Sequence, residues 1–591
     1  MSVDASAVAR VTGIGTQFKN LKSGSARFTP QRIVVLAQGC SDVVYSTAKR
    51  QVTSEPETGN TYGYGCPADL IVDQLFPANG DGVDSIPVTL YPLVDDPAGV
   101  AANGTITPVG TTMSDAGAYR ARVNGILGNS FVIPSGAVSL TDVCGLVGSS
   151  ISAVMRMPVD ISYTYGAVTA SAITGTGNGT LTALTAPGTP TPGAYKLTCN
   201  THVANGGVWT LTDPSGSVIA NDLTMTVGVG AASVFDSGGL QFTVTDGTTD
   251  FEVGDQFMIT VPATDVKATA KWKGSSGNGI YIEIIGDTTL GVTFTIAQPS
   301  GGLVNPDVTD ALAQIGNVWE TLIINAMELT DATTLDAIMN VGEGRWGDLV
   351  RKPFVAFTGN TSTDRATVTA ITDARKTDRV NSVIPGVGSV NLPFVVAARA
   401  VAMIAKQAND NPPTDYGAQP LTGIIPGNDG DQWDYPTRNA AVMAGSSTIE
   451  VVDSVVQLSD VITFYHPTGD PNPAYRYVVD IVRLMTCIYS IDTTFSAKEW
   501  AAAPLIPDGQ ATVNANARHP SDAKARLAGI ADSLGDEAII SDPDTAKKSI
   551  TSVINSENPK RLDMTMTVQL SGNTNIKSAT LYFGFFFGAA A

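Results

Sequence analysis

Between residues 306 and 408, short apolar runs and helical segments alternate several times in succession. The runs at 319–324, 353–357 and 380–384 read as strands. Segment 307–315 carries Val308, Leu312 and Ile315 at helical spacing; 331–340 carries Leu335, Ile338 and Met339; 362–375 carries Val368 and Ile371. A further helix over 393–408 closes the series. Strand–helix units in a row predict a mostly parallel, doubly wound sheet, because parallel neighbours need a long crossover and a helix is its usual form.

The same pattern opens near the N-terminus. A strand is expected at 32–37, a helix at 67–75 with Pro67 in its first turn, and a second strand at 86–93. If this piece joins the same sheet, 94–302 is a large insertion. Within it, strands at 104–108 and 119–126 precede a helix at 140–155, with Thr141 as cap and Val143, Leu146, Val147, Ile151 and Val154 on one face. A strand pair is expected over 159–172. From 173 to 262 Thr, Gly, Ser and Val dominate, and short strands at 195–198, 208–211, 223–227, 240–244 and 256–261 predict an all-β module. The interrupted unit resumes at 266–273 and ends with a strand at 280–285. Beyond 446, strands at 448–452 and 455–465 flank Asp453-Ser454, and helices follow at 475–491 and 521–534. Leu562, Met564, Met566, Val568 and Leu570 share one face of a strand, and a last strand covers 576–587, apolar on both faces in its second half.

The expected class is α/β and multi-domain: a doubly wound, mostly parallel sheet, inserted α+β and all-β domains, and a C-terminal α+β domain. The expected division is an N-terminal arm at 1–29 and an α/β core at 30–100 plus 303–445. An α+β domain at 101–172 plus 267–302 and a sandwich-like module at 173–266 are inserted. A C-terminal domain at 446–578 and a terminal strand at 579–591 complete the chain.

Composition narrows the function. The 591 residues include 55 acids and 35 bases, a formal net charge of −20. Such a surface repels phosphates, so no nucleic-acid partner is expected. Charged residues make up only 15%, against roughly 25% in ordinary soluble proteins, which suits a chain that buries surface against copies of itself. No apolar run approaches the ~18 residues of a membrane span, so no membrane insertion is expected, and 1–22 lacks an apolar block of signal-peptide length. The five cysteines, Cys40, Cys66, Cys144, Cys199 and Cys487, form no CxxC pair. Cys40 and Cys66 are candidate inter-subunit thiols, with free or buried thiols as the alternative.

Catalytic patterns are missing. The three histidines, His202, His466 and His519, lie outside the α/β region where a triad would need one, and read as exposed loop residues. Gly342-Glu343-Gly344-Arg345-Trp346-Gly347 matches G-x-G-x-x-G but follows a helix and leads toward a strand, the reverse of a dinucleotide site. It reads as a helix exit. The turn 427–431 lacks the downstream Glu of a calcium loop. No catalytic residue, metal or cofactor is expected, and an α/β hydrolase is disfavoured for want of a nucleophile with a base.

Four stretches in order carry a resemblance. They are Thr29-Pro30-Gln31-Arg32-Ile33-Val34-Val35-Leu36 with Tyr62-Gly63-Tyr64-Gly65 and Pro67-Ala68-Asp69; Gly274-Ser275-Ser276-Gly277-Asn278-Gly279-Ile280; Ala397-Ala398-Arg399-Ala400 with Asp410-Asn411-Pro412; and Asn558-Pro559-Lys560-Arg561-Leu562-Asp563. Together they resemble contractile tail sheath proteins of bacteriophages, of the Mu-like kind, over nearly the whole chain except the all-β module. That module looks like decorations on other phage structural proteins. The resemblance implies a subtilisin-like sheath domain without protease activity and self-assembly as stacked hexameric rings around a tail tube. It also implies baseplate and tail-terminator partners, assembly in the host cytoplasm and a place in the virion. Terminal arms would add strands to neighbours, with Val8, Val11 and Ile14 at one end and Leu581, Phe583, Phe585 and Phe587 at the other. The C-terminal domain would lie nearest the tube, and 23–30 and 572–575 are hinge candidates. The alternative class is another virion or surface-layer structural protein.

Overall fold

A computed structural model describes residues 27–470, 473–575 and 579–581. The chain is mixed α/β with several sheets. It divides into two units, one of residues 31–406 and 416–476, the other of 1–30, 407–415 and 477–591.

The larger unit is built on a six-stranded sheet. Its order is Arg50–Val52, Val88–Leu93, Ile33–Gln38, Leu322–Asn325, Val355–Asn360, Asn381–Pro385. Four of the five pairings are parallel; the short edge strand Arg50–Val52 is antiparallel. Every residue of Ile33–Gln38 and of Val88–Leu93 is buried, which is why these runs are continuous rather than alternating. The edge strand is three residues long and exposes Arg50 and Gln51, a guard against pairing with other chains. Helices Pro67–Leu75, Ala332–Trp346 and Arg365–Asp373 begin at caps the sequence supplies: Cys66 Sγ accepts from the Asp69 amide, and Asp331 and Asp364 cap the other two. At Gly359 strand and helix approach so closely that a Cβ would sit 1.7 Å from the Pro393 carbonyl oxygen, so only glycine fits.

Several expectations shift. The helix expected at 307–315 is the single turn Thr309–Ala313, and that expected at 331–340 runs on to Trp346. The G-x-G-x-x-G stretch is therefore largely its last turns, ended by Gly347. Helix Glu55–Tyr62 went unread because it carries almost no apolar residue; a proline in its first turn and Glu55 and Glu57 at its positive end favour it instead. The hairpin forms between Thr448–Val452 and Val455–Asp460, its second strand ending five residues short of the expected 465, with Asp453 and Ser454 both at positive φ, the two-residue turn that matches strand twist. It belongs with the larger unit rather than the C-terminal part: the Phe464 amide donates to the Asn381 carbonyl at 2.9 Å and Ser382 Oγ to the Ile462 carbonyl at 2.7 Å.

Within the insertion, one sheet has the order Thr293–Ser300, Asn103–Val109, Ala263–Ala270, Val159–Tyr165 and another Ile282–Gly286, Gly117–Val123, Ile126–Ile133; helix Leu140–Ser152 packs against both. The Gly274–Ile280 stretch is a 3-10 turn, locked by Asn278, which both donates to the Gly302 carbonyl and accepts from its amide.

The all-β module is a five-stranded sheet facing a three-stranded one. Strands Thr180–Thr185 and Ala232–Ser237 escaped the sequence because their inward apolar residues are few, while Val234 faces outward and blurs the alternation of the second. Thr169–Ala170, expected in a pair with 159–165, joins the module's sheet instead. The module has its own core around Trp209, whose ring meets Phe251 edge-on at 4.8 Å and Phe257 at 5.6 Å. Trp209→Ala is expected to cost about 3–5 kcal/mol and to lower a distinct thermal transition of the module, leaving the transition of the parallel sheet in place; scanning calorimetry of the full chain checks this.

Candidate assembly site

The smaller unit is organised by helix Val478–Phe495. Val478, Val479, Ile481, Val482 and Met485 are buried, yet so is Arg483. A guanidinium leaves water only when its donors are satisfied. Arg483 Nη1 donates to Asp480 Oδ1 at 2.7 Å and to the Ser571 carbonyl; Nη2 donates to Asn573 Oδ1 at 2.5 Å and to the Pro413 carbonyl. Asn573 Nδ2 donates to the same Pro413 carbonyl at 2.9 Å. Burial pushes the Asp480 carboxyl up, and Arg483 opposes that shift. The chain leading to the C-terminus is thus pinned on both sides of Gly572, so the hinge expected at 572–575 is fixed in its first half.

Ser490 lies seven residues further along the same helix, about 10 Å up the axis. Its buried hydroxyl accepts from the Arg27 amide at 3.3 Å and donates to the Arg27 carbonyl at 3.2 Å. The first described residue and the last long described segment are therefore both tied to one helix. Helices Pro520–Asp536 and Pro543–Ser549 complete this unit with the hairpin Thr551–Ile554 and Leu562–Thr565. Met564, Met566, Val568 and Leu570 pack on Leu527, Ile530, Leu534 and Ile539, as the alternating pattern predicts. The regular strand, however, stops at Thr565, and among the described residues its sheet has two strands.

Of the arm residues expected to reach neighbours, Val8, Val11, Ile14, Phe583, Phe585 and Phe587 lie outside the described residues. Leu581 is described and is 82% exposed. Most of the strand expected at 576–587 is likewise outside them. Arg483 and Ser490 are not singled out from the sequence; the available signal is an Asp and an Arg three apart inside the apolar first half of the helix. Arg483→Ala is expected to cost about 3–5 kcal/mol by stranding Asp480 and the carbonyl oxygens, and to open the chain near residue 572 to proteolysis, which limited digestion followed by mass spectrometry checks.

Cys40 and Cys66 do not lie on an accessible surface. Both are buried free thiols in the larger unit, 3% and 0% exposed, so neither reaches another chain without local opening. Asp69, three residues on, is also buried. Its Oδ2 accepts from the Gly65 amide at 2.8 Å and from Arg156 Nε at 3.2 Å, while Arg156 also pairs with Asp73 and Glu55. Burial pushes the Asp69 carboxyl up to about 7. The folded chain therefore holds this proton more tightly than the unfolded one, and the stability it brings at low pH is lost as pH rises toward 7. Asp69→Asn is expected to flatten the fall in stability between pH 4 and 7, by at most about 4 kcal/mol, as read by urea unfolding across that range.

The histidines divide. His202 is exposed, with Nδ1 2.7 Å from the Phe251 carbonyl, and His519 caps helix Pro520–Asp536. His466, expected to be exposed, is 7% exposed, with Nδ1 2.6 Å from the Phe464 carbonyl and Nε2 3.2 Å from Asp373 Oδ1. It packs against Gly445, and its amide donates to the Lys376 carbonyl at 2.9 Å. A cleft of about 800 Å³ lies beyond strand Leu322–Asn325, where Asn305 Nδ2 donates to Glu328 at 3.3 Å and to Asp331 at 2.8 Å. Among the described residues no group of three or more His, Cys, Asp or Glu is placed to hold a metal, and no helix is long and apolar enough to cross a membrane.

No protein-family model matches the chain. A curated relative, the Mu-like prophage FluMu tail sheath protein of Haemophilus influenzae, is 28% identical over 252 residues, which is 41% of this chain and 50% of the relative. The match thus spans about half the relative's length. Among solved structures, a sheath tail protein from Desulfitobacterium hafniense aligns over 94% of this chain and 100% of its own at 11% identity, with a TM-score of 0.40. One from Listeria innocua aligns over 93% and 94% at 10% identity, with a TM-score of 0.42. Scores this low carry no argument. The resemblance read from the four motifs thus meets a relative that bears the tail sheath name.

Proposed function

We propose that this chain is a structural subunit of a contractile phage tail sheath. In this reading it polymerises with copies of itself, as stacked hexameric rings, around a tail tube. Baseplate and terminator proteins hold the two ends, assembly takes place in the host cytoplasm, and the product is part of the virion. The parallel-sheet unit takes the part of the subtilisin-like sheath domain and carries no chemistry. Contraction is a switch between two packings of the same subunits, and the energy is stored during assembly.

The observation that carries this reading is the double anchor on helix Val478–Phe495, with Arg27 held at Ser490 and Ser571 and Asn573 at Arg483. Two chain ends leaving one rigid element can link neighbours while the bodies reorient. The hairpin in the same unit favours the same reading, because a two-stranded sheet is marginal by itself, and edges that are unpaired among the described residues invite further strands. The curated relative's name agrees.

Electron microscopy of the concentrated full chain tests it. Hollow, regularly striated tubes are the expected result. Removing 1–26 or 579–591 is expected to abolish the tubes without lowering the melting temperature of the monomer. A full chain that stays monomeric with and without a tube partner overturns the reading.

A further inference from the structure

Cys40 and Cys66 stand twenty-six positions apart in sequence but face the same turn. Cys40 Sγ lies 3.6 Å from the Tyr64 carbonyl oxygen and Cys66 Sγ 3.1 Å from that of Gly63, the adjacent peptide. The Cys40 amide donates to the Tyr62 carbonyl at 2.7 Å, which fixes the two backbones side by side. Gly63, at φ 93°, packs directly against the first thiol: a Cβ there would meet Cys40 Sγ at 2.6 Å. None of the other three cysteines shares a contact with this turn, and the role sketched above uses neither thiol.

We propose that Cys40 and Cys66 close an intrachain disulfide in an oxidising medium, stapling the end of strand Ile33–Gln38 to the first turn of helix Pro67–Leu75. The link would join the interior of the parallel sheet to the helix that precedes strand Val88–Leu93. Access runs through the segment that follows Cys40, which lacks regular structure and is largely exposed over 41–49, with Val44 fully so. Burial pushes the Cys66 thiol well up, so closure is slow near neutral pH and quickens as pH rises.

With oxidised glutathione as oxidant, one cysteine thiolate attacks a glutathione sulfur, making a mixed disulfide and releasing one glutathione thiolate. The second cysteine thiolate attacks the protein-bound sulfur and releases the other. The two cysteines lose two electrons, glutathione disulfide gains them, and the two thiol protons end on the two glutathiones.

The full chain is incubated with oxidised glutathione at rising pH, denatured, alkylated, digested and read by mass spectrometry. The expected product is a linked Cys40–Cys66 peptide pair, with Cys144, Cys199 and Cys487 alkylated, a monomer on a non-reducing gel, and a raised melting temperature. Cys40→Ser and Cys66→Ser are each expected to stop at a glutathione adduct on the remaining thiol. Alkylation of both Cys40 and Cys66 in the oxidised wild-type chain at every pH overturns the proposal. So does a disulfide from either residue to a second chain.

Discussion

Strand Ile33–Gln38 is the constraint on which the larger unit rests. It pairs on one side with Val88–Leu93 and on the other with Leu322–Asn325, almost three hundred residues away. Burying this strand on both sides forces the chain to return after the whole of the intervening segment. The segment from 94 to 302 is therefore an insertion that stays in the same compact unit, tied back to the sheet region by bonds such as Asn124 Nδ2 to the Val390 carbonyl and Arg156 Nε to Asp69. Loop closure grows only slowly with length, so the chain can carry such an insertion as long as the sheet core offsets its ordering.

The smaller unit depends on a different kind of contact. A buried guanidinium is costly unless its donors are met; both terminal nitrogens of Arg483 are met, by main-chain oxygens from two distant segments and by Asp480 and Asn573, while its buried Nε has no partner among the described residues. The gain is directional rather than hydrophobic: it sets where the chain leaves helix Val478–Phe495 on its way to the C-terminus. Ser490 does the same for Arg27 with a smaller group. Helix Val478–Phe495 thus holds the described chain at two separated points, Arg27 and the 571–573 stretch.

Much of the fold was legible where one physical signal dominates. Strands buried on both faces read as continuous apolar runs, Pro67 and the acidic caps mark helix starts, and Asp453-Ser454 marks a hairpin. The face shared by Met564, Met566, Val568 and Leu570 was visible in the alternation alone. What escaped lacks a strong apolar pattern of its own. Helix Glu55–Tyr62 has no apolar stripe, and strands Thr180–Thr185 and Ala232–Ser237 are stabilised by pairing more than by their own residues. His466 looked like a loop residue because nothing local reveals that its loop packs beside strand Asn381–Pro385.

The sequence by itself determined the alternation of strands and helices, the β character of the inserted module, the acidic and weakly charged surface and the order of motifs that resembles a tail sheath. These follow from the periodicity of side chains and from composition, which are local properties. Only the tertiary structure decided that the 448–460 hairpin sides with the larger unit, that Cys40 and Cys66 lie buried against one turn instead of facing another chain, and that Arg27, Ser571 and Asn573 are held by a single helix. Each of these depends on which distant groups share a desolvated space, and spacing along the chain does not encode that.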